Sequence, residues 1–202
     1  MHPLTLFSLF ATPARGWSRL VHSKPSIPGI FFLHVIPFSL IPPLMLFLAG
    51  GKYGGQFFPT MGSTKLLVIA VTLFLVELAS VPIMAILIRQ LGELGEIHPT
   101  YKDSFIIASV APTPLWLAPI FLLLPSALVN VVIVSLAMMA TAGLLYYGIP
   151  VVFRMKEQGH AILVFGAVLI AGTVALGFLM VCTLVVWSSV QNLQYHMPFV
   201  GW

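Results

Sequence analysis

Five long apolar runs constrain this chain more than any other feature of its sequence. They extend from about Ile30 to Ala49, from Leu66 to Leu91, from Ser104 to Leu124, from Pro125-Ser126 to about Val152, and from Ala161 to Val190. Runs of about 20 apolar residues cross the hydrocarbon core of a bilayer as helices. Composition agrees. Of 202 residues, 59% are hydrophobic and 7% charged, whereas a soluble domain carries roughly a quarter charged residues. The runs are apolar on every side and do not alternate with period two, which argues against a β-barrel. The fold class expected is therefore all-α: a polytopic membrane protein of five transmembrane helices. The connectors are short, so neighbouring helices run antiparallel in one bundle. Residues 1–29 form an N-terminal segment, 30–190 the membrane domain and 191–202 a tail.

Lysine and arginine set the expected orientation. Arg15, Arg19 and Lys24 precede the first run, Arg89 and Lys102 lie between the second and third, and Arg154 and Lys156 between the fourth and fifth. Only Lys52 and Lys65 fall on the opposite side. The positive-inside bias puts the N-terminus in the cytoplasm and the C-terminus outside. The opening "MHPLTLFSLFATPARGW" lacks the basic start and long apolar stretch of a signal peptide. It reads as an interfacial segment with Phe7, Phe10 and Trp17 dipping into lipid. Tyr195, Phe199 and Trp202 would anchor the tail at the outer interface. The stretch Gly50 to Thr64, rich in glycine, is expected to be the longest and most flexible link.

Glu77 stands near the middle of the second run. A charge at that depth costs about 3 kcal/mol on insertion scales. The carboxyl must face protein or water, or carry a proton. One reading is a proton or cation site. The plainer one is a protonated acid that donates to a backbone carbonyl freed by a proline. Pro82 frees such a carbonyl on Leu78, and Pro37, Pro42, Pro43, Pro112, Pro114 and Pro119 interrupt the first and third runs. Broken helices at membrane depth need protein or water to satisfy their backbone. These prolines are therefore candidates for shaping a cavity, with static kinks as the alternative. His34 is a second intramembrane polar candidate, close enough to Glu77 for a pair only if the helices tilt.

Other patterns carry less. Glu93, Glu96, His98 and Asp103 crowd one loop without a metal-ligand spacing, so no metal and no cofactor are expected. Cys182 reads as a buried hydrophobe. Ala167, Ala171 and Ala175, with Gly166 and Gly172 beside them, form a helix-packing face suited to a neighbour in the chain or to a second copy. No GxxxxGK[ST] loop, internal repeat or nucleophile–base pair occurs, and the few loop cations make no nucleic-acid surface. An enzyme is not expected.

"LFSLFATPARGWSRL", "IASVAPTPLWLAPIF" and "LLYYGIPVVFRMKEQGHA" together resemble the bacterial branch of the Yip family, the Ypt/Rab-interacting membrane proteins. The small-residue-then-proline pattern at Ala111-Pro112 and Pro114, and Tyr147 to Ile149, carry it best. The resemblance implies five spanning helices, a cytoplasmic N-terminus, the bacterial inner membrane, and no catalytic residues. Eukaryotic relatives associate with prenylated Rab GTPases. This chain has little soluble N-terminal sequence, which argues against GTPase binding here. The expected role is a non-enzymatic component that organises the membrane by binding lipid, a membrane-protein partner or its own copies. The alternative is a small ion- or proton-coupled permease with Glu77 in its pathway.

Overall fold

The computed structural model describes residues 9, 12–57 and 62–192. Five of its helical stretches are long and apolar enough to span a membrane: Ile27–Lys52, Ser63–Gly95, Tyr101–Leu123, Ala127–Val152 and Gln158–Val190. Phe7, Phe10, Tyr195, Phe199 and Trp202 lie outside the described residues. The expected Gly50–Thr64 link is shorter than its glycines suggest, because the helix runs on to Phe57. A helix satisfies its own backbone where water is scarce, and that requirement outweighs glycine's poor helical propensity.

Ahead of the spans lies α1 (Pro13–His22), with a proline in its first turn. Arg15 and Arg19 are exposed while Gly16, Trp17 and Leu20 are buried. The buried face packs on the fourth span, α8 (Ala127–Val152). Trp17 is fully buried, so the expectation that it dips into lipid is wrong. Its indole lies across Gly148 of α8, where a Cβ would sit 2.6 Å from Trp17 Cε2. Only a residue without a side chain admits the ring there.

The first span is built in pieces: α2 (Ile27–Ile30), a π-helical turn Phe31–Val35, α3 (Ile36–Ser39) and α4 (Ile41–Phe57). Ser26 caps α2 by accepting from the Gly29 amide at 3.2 Å. Pro37 accounts for the π turn. Its ring crowds the carbonyl of Leu33, four residues back, and the ladder widens so that the Ile36 amide donates to Phe31, five residues back. Such π turns appear mostly as single-turn insertions and gather at functional sites. Pro42 and Pro43, both buried, follow the bend at Leu40.

The second span, α5 (Ser63–Gly92), is continuous through Pro82. Pro82, a candidate helix breaker alongside the prolines of the first and third runs, therefore does not break its helix. One proline removes one ladder bond and bends a long helix without ending it. The third span is α6 (Tyr101–Val110), α7 (Thr113–Leu117) and a 3₁₀ segment Ala118–Leu123. Thr100 starts α6 by accepting from the Asp103 amide at 3.1 Å and donating to Asp103 Oδ2 at 2.8 Å. Ser126 caps α8 after a connector of three residues, and α9 (Gln158–Asn192) closes the bundle.

The third span is the hub, packing on α2, the π turn, α3, α4, α5 and α8. More than half of its apolar window, 56%, is buried, against 17% of the fourth span and 11% of the fifth. α9 lies against α5, the Glu93–Gly95 turn and α8, and leaves much of its surface free. Ile170, Val174, Phe178 and Leu184 are exposed there, as lipid-facing residues should be.

Three connectors share a termination. α1, the 3₁₀ turn Glu93–Gly95 and α8 are each followed by a residue with positive φ: Lys24, Glu96 and Arg154. Ile97 and Met155 then donate back to the carbonyls of Gly92 and Pro150, closing six-residue loops at both helix ends. Glycine is the usual occupant of such positions, and each of these carries a long charged side chain instead. The turn from Gly92 to Pro99 exposes Glu93, Glu96 and His98 and buries Gly92, Gly95 and Pro99. Gly92 lies on the Pro99 ring and Gly95 on Val164 of α9.

Candidate functional site: a buried polar core in the first three spans

Six polar or charged side chains are buried among the described residues: His34, Ser39, Glu77, Ser104, Ser109 and Thr113. All lie in the first three spans.

His34 and Thr113 form the centre. Pro114 has no N–H to give the carbonyl of Val110, and the Thr113 hydroxyl fills that gap by donating to it at 2.6 Å. With its one proton so committed, Thr113 Oγ1 can only accept. The 3.1 Å contact to His34 Nε2 is therefore an imidazole N–H donating to the hydroxyl. On that geometry Nε2 carries a proton. Phe38 stacks at 4.5 Å from the imidazole and Trp116 lies at 6.2 Å. The π turn of the first span and the proline break of the third are thus joined by one hydrogen-bonded chain, His34 to Thr113 to Val110.

The other hydroxyls turn inward on their own helices. Ser109 donates to the carbonyls of Phe105 and Ile106, and Ser39 to that of Ile36. Ser104 Oγ is buried without a partner. The carbonyl freed at a proline does draw a donor, as anticipated, but the donor is Thr113 and the proline is Pro114. Sequence reasoning missed Thr113. Its flanking prolines were the available signal, since a hydroxyl between two prolines lies within reach of the carbonyls they release.

Glu77 is 7% exposed. Its Oε2 is buried and has no hydrogen-bond partner, so the expected donation to a freed carbonyl is not made by that oxygen. Ser80 instead bonds the Glu77 backbone carbonyl at 2.7 Å. His34 is engaged with Thr113, so the tilt-dependent pair with Glu77 is not the arrangement found.

Two clefts lie away from the prolines singled out above. One, of about 10 Å³, is lined by Ile69, Thr72, Leu73 and Val76 of α5 and by Leu179, Cys182, Thr183 and Val186 of α9. The other, of about 330 Å³, opens at the junction of α8 and α9. Ala167, Ala171 and Ala175 are half-buried on α9. The neighbouring Gly166 and Gly172 have no atom within 4 Å of where a Cβ would stand, so they mediate no close approach inside the chain.

Five apolar spans, the proline-broken third at their centre with its freed Val110 carbonyl satisfied by its own Thr113, define a multi-pass integral membrane protein. The family model for the Yip1 domain matches residues 7–179. The chain belongs to the Yip1 family and is a protein of the inner membrane. It is similar to the Escherichia coli K12 inner membrane protein YohC, 25% identical over 188 residues that cover 91% of this chain and 95% of the relative. YohC of Escherichia coli O6:H1 matches to the same extent. No solved structure matches. Of the three segments that carry the likeness in the sequence, those around Trp17 and Gly148 pack on each other, and the third places Thr113 against His34 of the first span.

Proposed function

We propose that this Yip1-family protein is a non-enzymatic component that organises the membrane around it by binding lipid or the helices of a partner. One observation carries the reading. His34 and Thr113 tie the broken first and third spans together, while the fourth and fifth spans keep broad apolar faces free. An interior so used supports a rigid platform, and the free faces are its working surface. The bias of basic residues favours a cytoplasmic N-terminus. Rab-type GTPase binding is no part of the reading.

Photo-crosslinkers at Ile170 and Phe178 should capture lipid or a membrane protein in cells, while one at buried Val168 should return only contacts within the chain. Equal labelling at all three positions would sink the platform reading.

The unpartnered Oε2 of Glu77 favours a second reading, a proton- or ion-coupled permease. Reconstituted vesicles with an imposed proton gradient distinguish the two. The platform reading expects no flux above protein-free vesicles. Gradient-driven flux that Glu77→Gln abolishes would establish the permease and overturn the platform.

A further inference from the structure

The cleft of about 330 Å³ between the end of α8 and the start of α9 combines apolar and charged lining residues. Part of the lining is apolar: Pro150, Met155, Ala161 and Ile162. Its rim is polar and carries both signs, with Lys156, Glu157 and Gln158 in sequence. Tyr146 and Tyr147 stand at its side, half exposed and packed edge to face at 5.3 Å. Aromatic residues with one wet end mark the level of lipid headgroups. The cleft therefore lies where a helical hairpin leaves the hydrocarbon, open toward lipid below and water above.

We propose that this cleft binds a membrane phospholipid with a zwitterionic headgroup ending in a primary ammonium. This names a ligand class for the platform proposed above and rests on that reading.

The charges decide the headgroup. A phosphodiester needs a cation, and Lys156 supplies it, with the free amides at the start of α9 beside it. An ammonium needs acceptors. Glu157 is three-quarters exposed and only loosely held by His160 at 3.4 Å, so its carboxylate is free to turn toward a ligand. Pro150 has no N–H to give the carbonyl of Tyr146, which adds a backbone acceptor on the same turn. An anionic headgroup without an amine would leave Glu157 facing like charge. A trimethylated amine would offer it no N–H. Below the rim, Ile162 and Ala161 give an acyl chain an apolar wall continuous with the lipid-facing side of α9.

The test uses the full-length protein in detergent, with bound lipid counted by native mass spectrometry. Phosphatidylethanolamine, phosphatidylglycerol and phosphatidylcholine are added at matched concentrations. Phosphatidylethanolamine should be retained best. Lys156→Ala should lower its retention about ten-fold, the loss of one charge-assisted hydrogen bond. Glu157→Gln should erase the preference over phosphatidylcholine while leaving overall retention within a few-fold. Ala161→Phe, which fills the cleft from a half-buried position, should abolish retention without lowering the unfolding midpoint.

Equal retention of the three lipids, or a preference for phosphatidylglycerol, overturns the headgroup assignment. Retention that all three variants leave unchanged places the lipid elsewhere and overturns the site, with the platform reading intact. Complete absence of bound lipid overturns the site and removes lipid binding from the platform reading too.

Discussion

Gly148→Ala tests the docking of α1 most sharply, because the magnitude follows from one distance. A Cβ at position 148 would lie 2.6 Å from Trp17 Cε2 and 2.8 Å from Cζ2, where ordinary contact begins near 3.4 Å. The ring must retreat by roughly 0.8 Å (3.4 − 2.6), and a fully buried indole has nowhere to go. Overpacking of this kind costs about 1–3 kcal/mol. Alanine returns up to about 1 kcal/mol over glycine through helix propensity. The single variant should therefore lose about 0–3 kcal/mol. Trp17→Ala should cost about 3–5 kcal/mol. In that background the obstruction is gone, and Gly148→Ala should become stabilising by up to about 1 kcal/mol. The readout is thus a coupling energy of about 1–3 kcal/mol whose sign is fixed in advance. Helical circular dichroism of the four proteins during titration from mild detergent into sodium dodecyl sulfate measures it. Tryptic cleavage at Arg15 and Arg19 reports local release of α1, which should quicken in Gly148→Ala and be insensitive to position 148 once Trp17 is removed. A coupling smaller than about 0.5 kcal/mol, the scatter of independent sites, would refute the docking.

Two further outcomes follow from the same reasoning. Thr113→Val removes both the acceptor of His34 Nε2–H and the donor to the Val110 carbonyl, so it should cost about 1–3 kcal/mol, whereas Thr113→Ser should stay close to the parent; the detergent titration reads both. Glu96→Gly and Arg154→Gly relieve a left-handed backbone that glycine adopts freely, and each should raise the unfolding midpoint by the equivalent of up to about 1 kcal/mol, while Glu96→Val should lower it.

The spans were legible because length and apolarity are local properties: each predicted run lies within the observed one to a few residues. The breaks at Pro112 and Pro114 were legible for the same reason, since a missing N–H is written at its own position. Partners were not. Thr113 is 79 residues from His34, and the sequence contains no statement of how one helix is rotated against another. Glu77 was the more conspicuous residue and drew the pairing to itself. Trp17 failed differently. An amphipathic helix shows the same 3.6-residue spacing whether its apolar face meets lipid or protein, and the residue that decides is a glycine in the fourth span. The helix ends at Lys24, Glu96 and Arg154 were hidden because the usual signal for a left-handed termination is glycine, and none of the three is one.

The burial of the third span follows from its prolines. Each proline within it leaves a carbonyl without its ladder donor, and lipid has no donor to offer. A helix with Pro112, Pro114 and Pro119 can therefore persist at membrane depth only inside a shell of protein, and it is the most enclosed span of the five. Enclosure alone does not satisfy a carbonyl, however. The Thr113 hydroxyl does so at Val110, and His34 holds that hydroxyl in place from a π turn that Pro37 produces. The prolines of the first and third spans thus belong to one arrangement: Pro114 frees the Val110 carbonyl that Thr113 satisfies, and the turn at Pro37 presents the His34 that holds Thr113. Glu77 stands outside this arrangement, on a helix that Pro82 bends without breaking and with a buried oxygen that nothing engages. Removing His34 or Thr113 should therefore register as lost stability. Glu77→Gln exchanges an acid for an amide of the same shape, so a large effect of that variant on flux, with the fold intact, would point to the chemistry of the carboxyl itself.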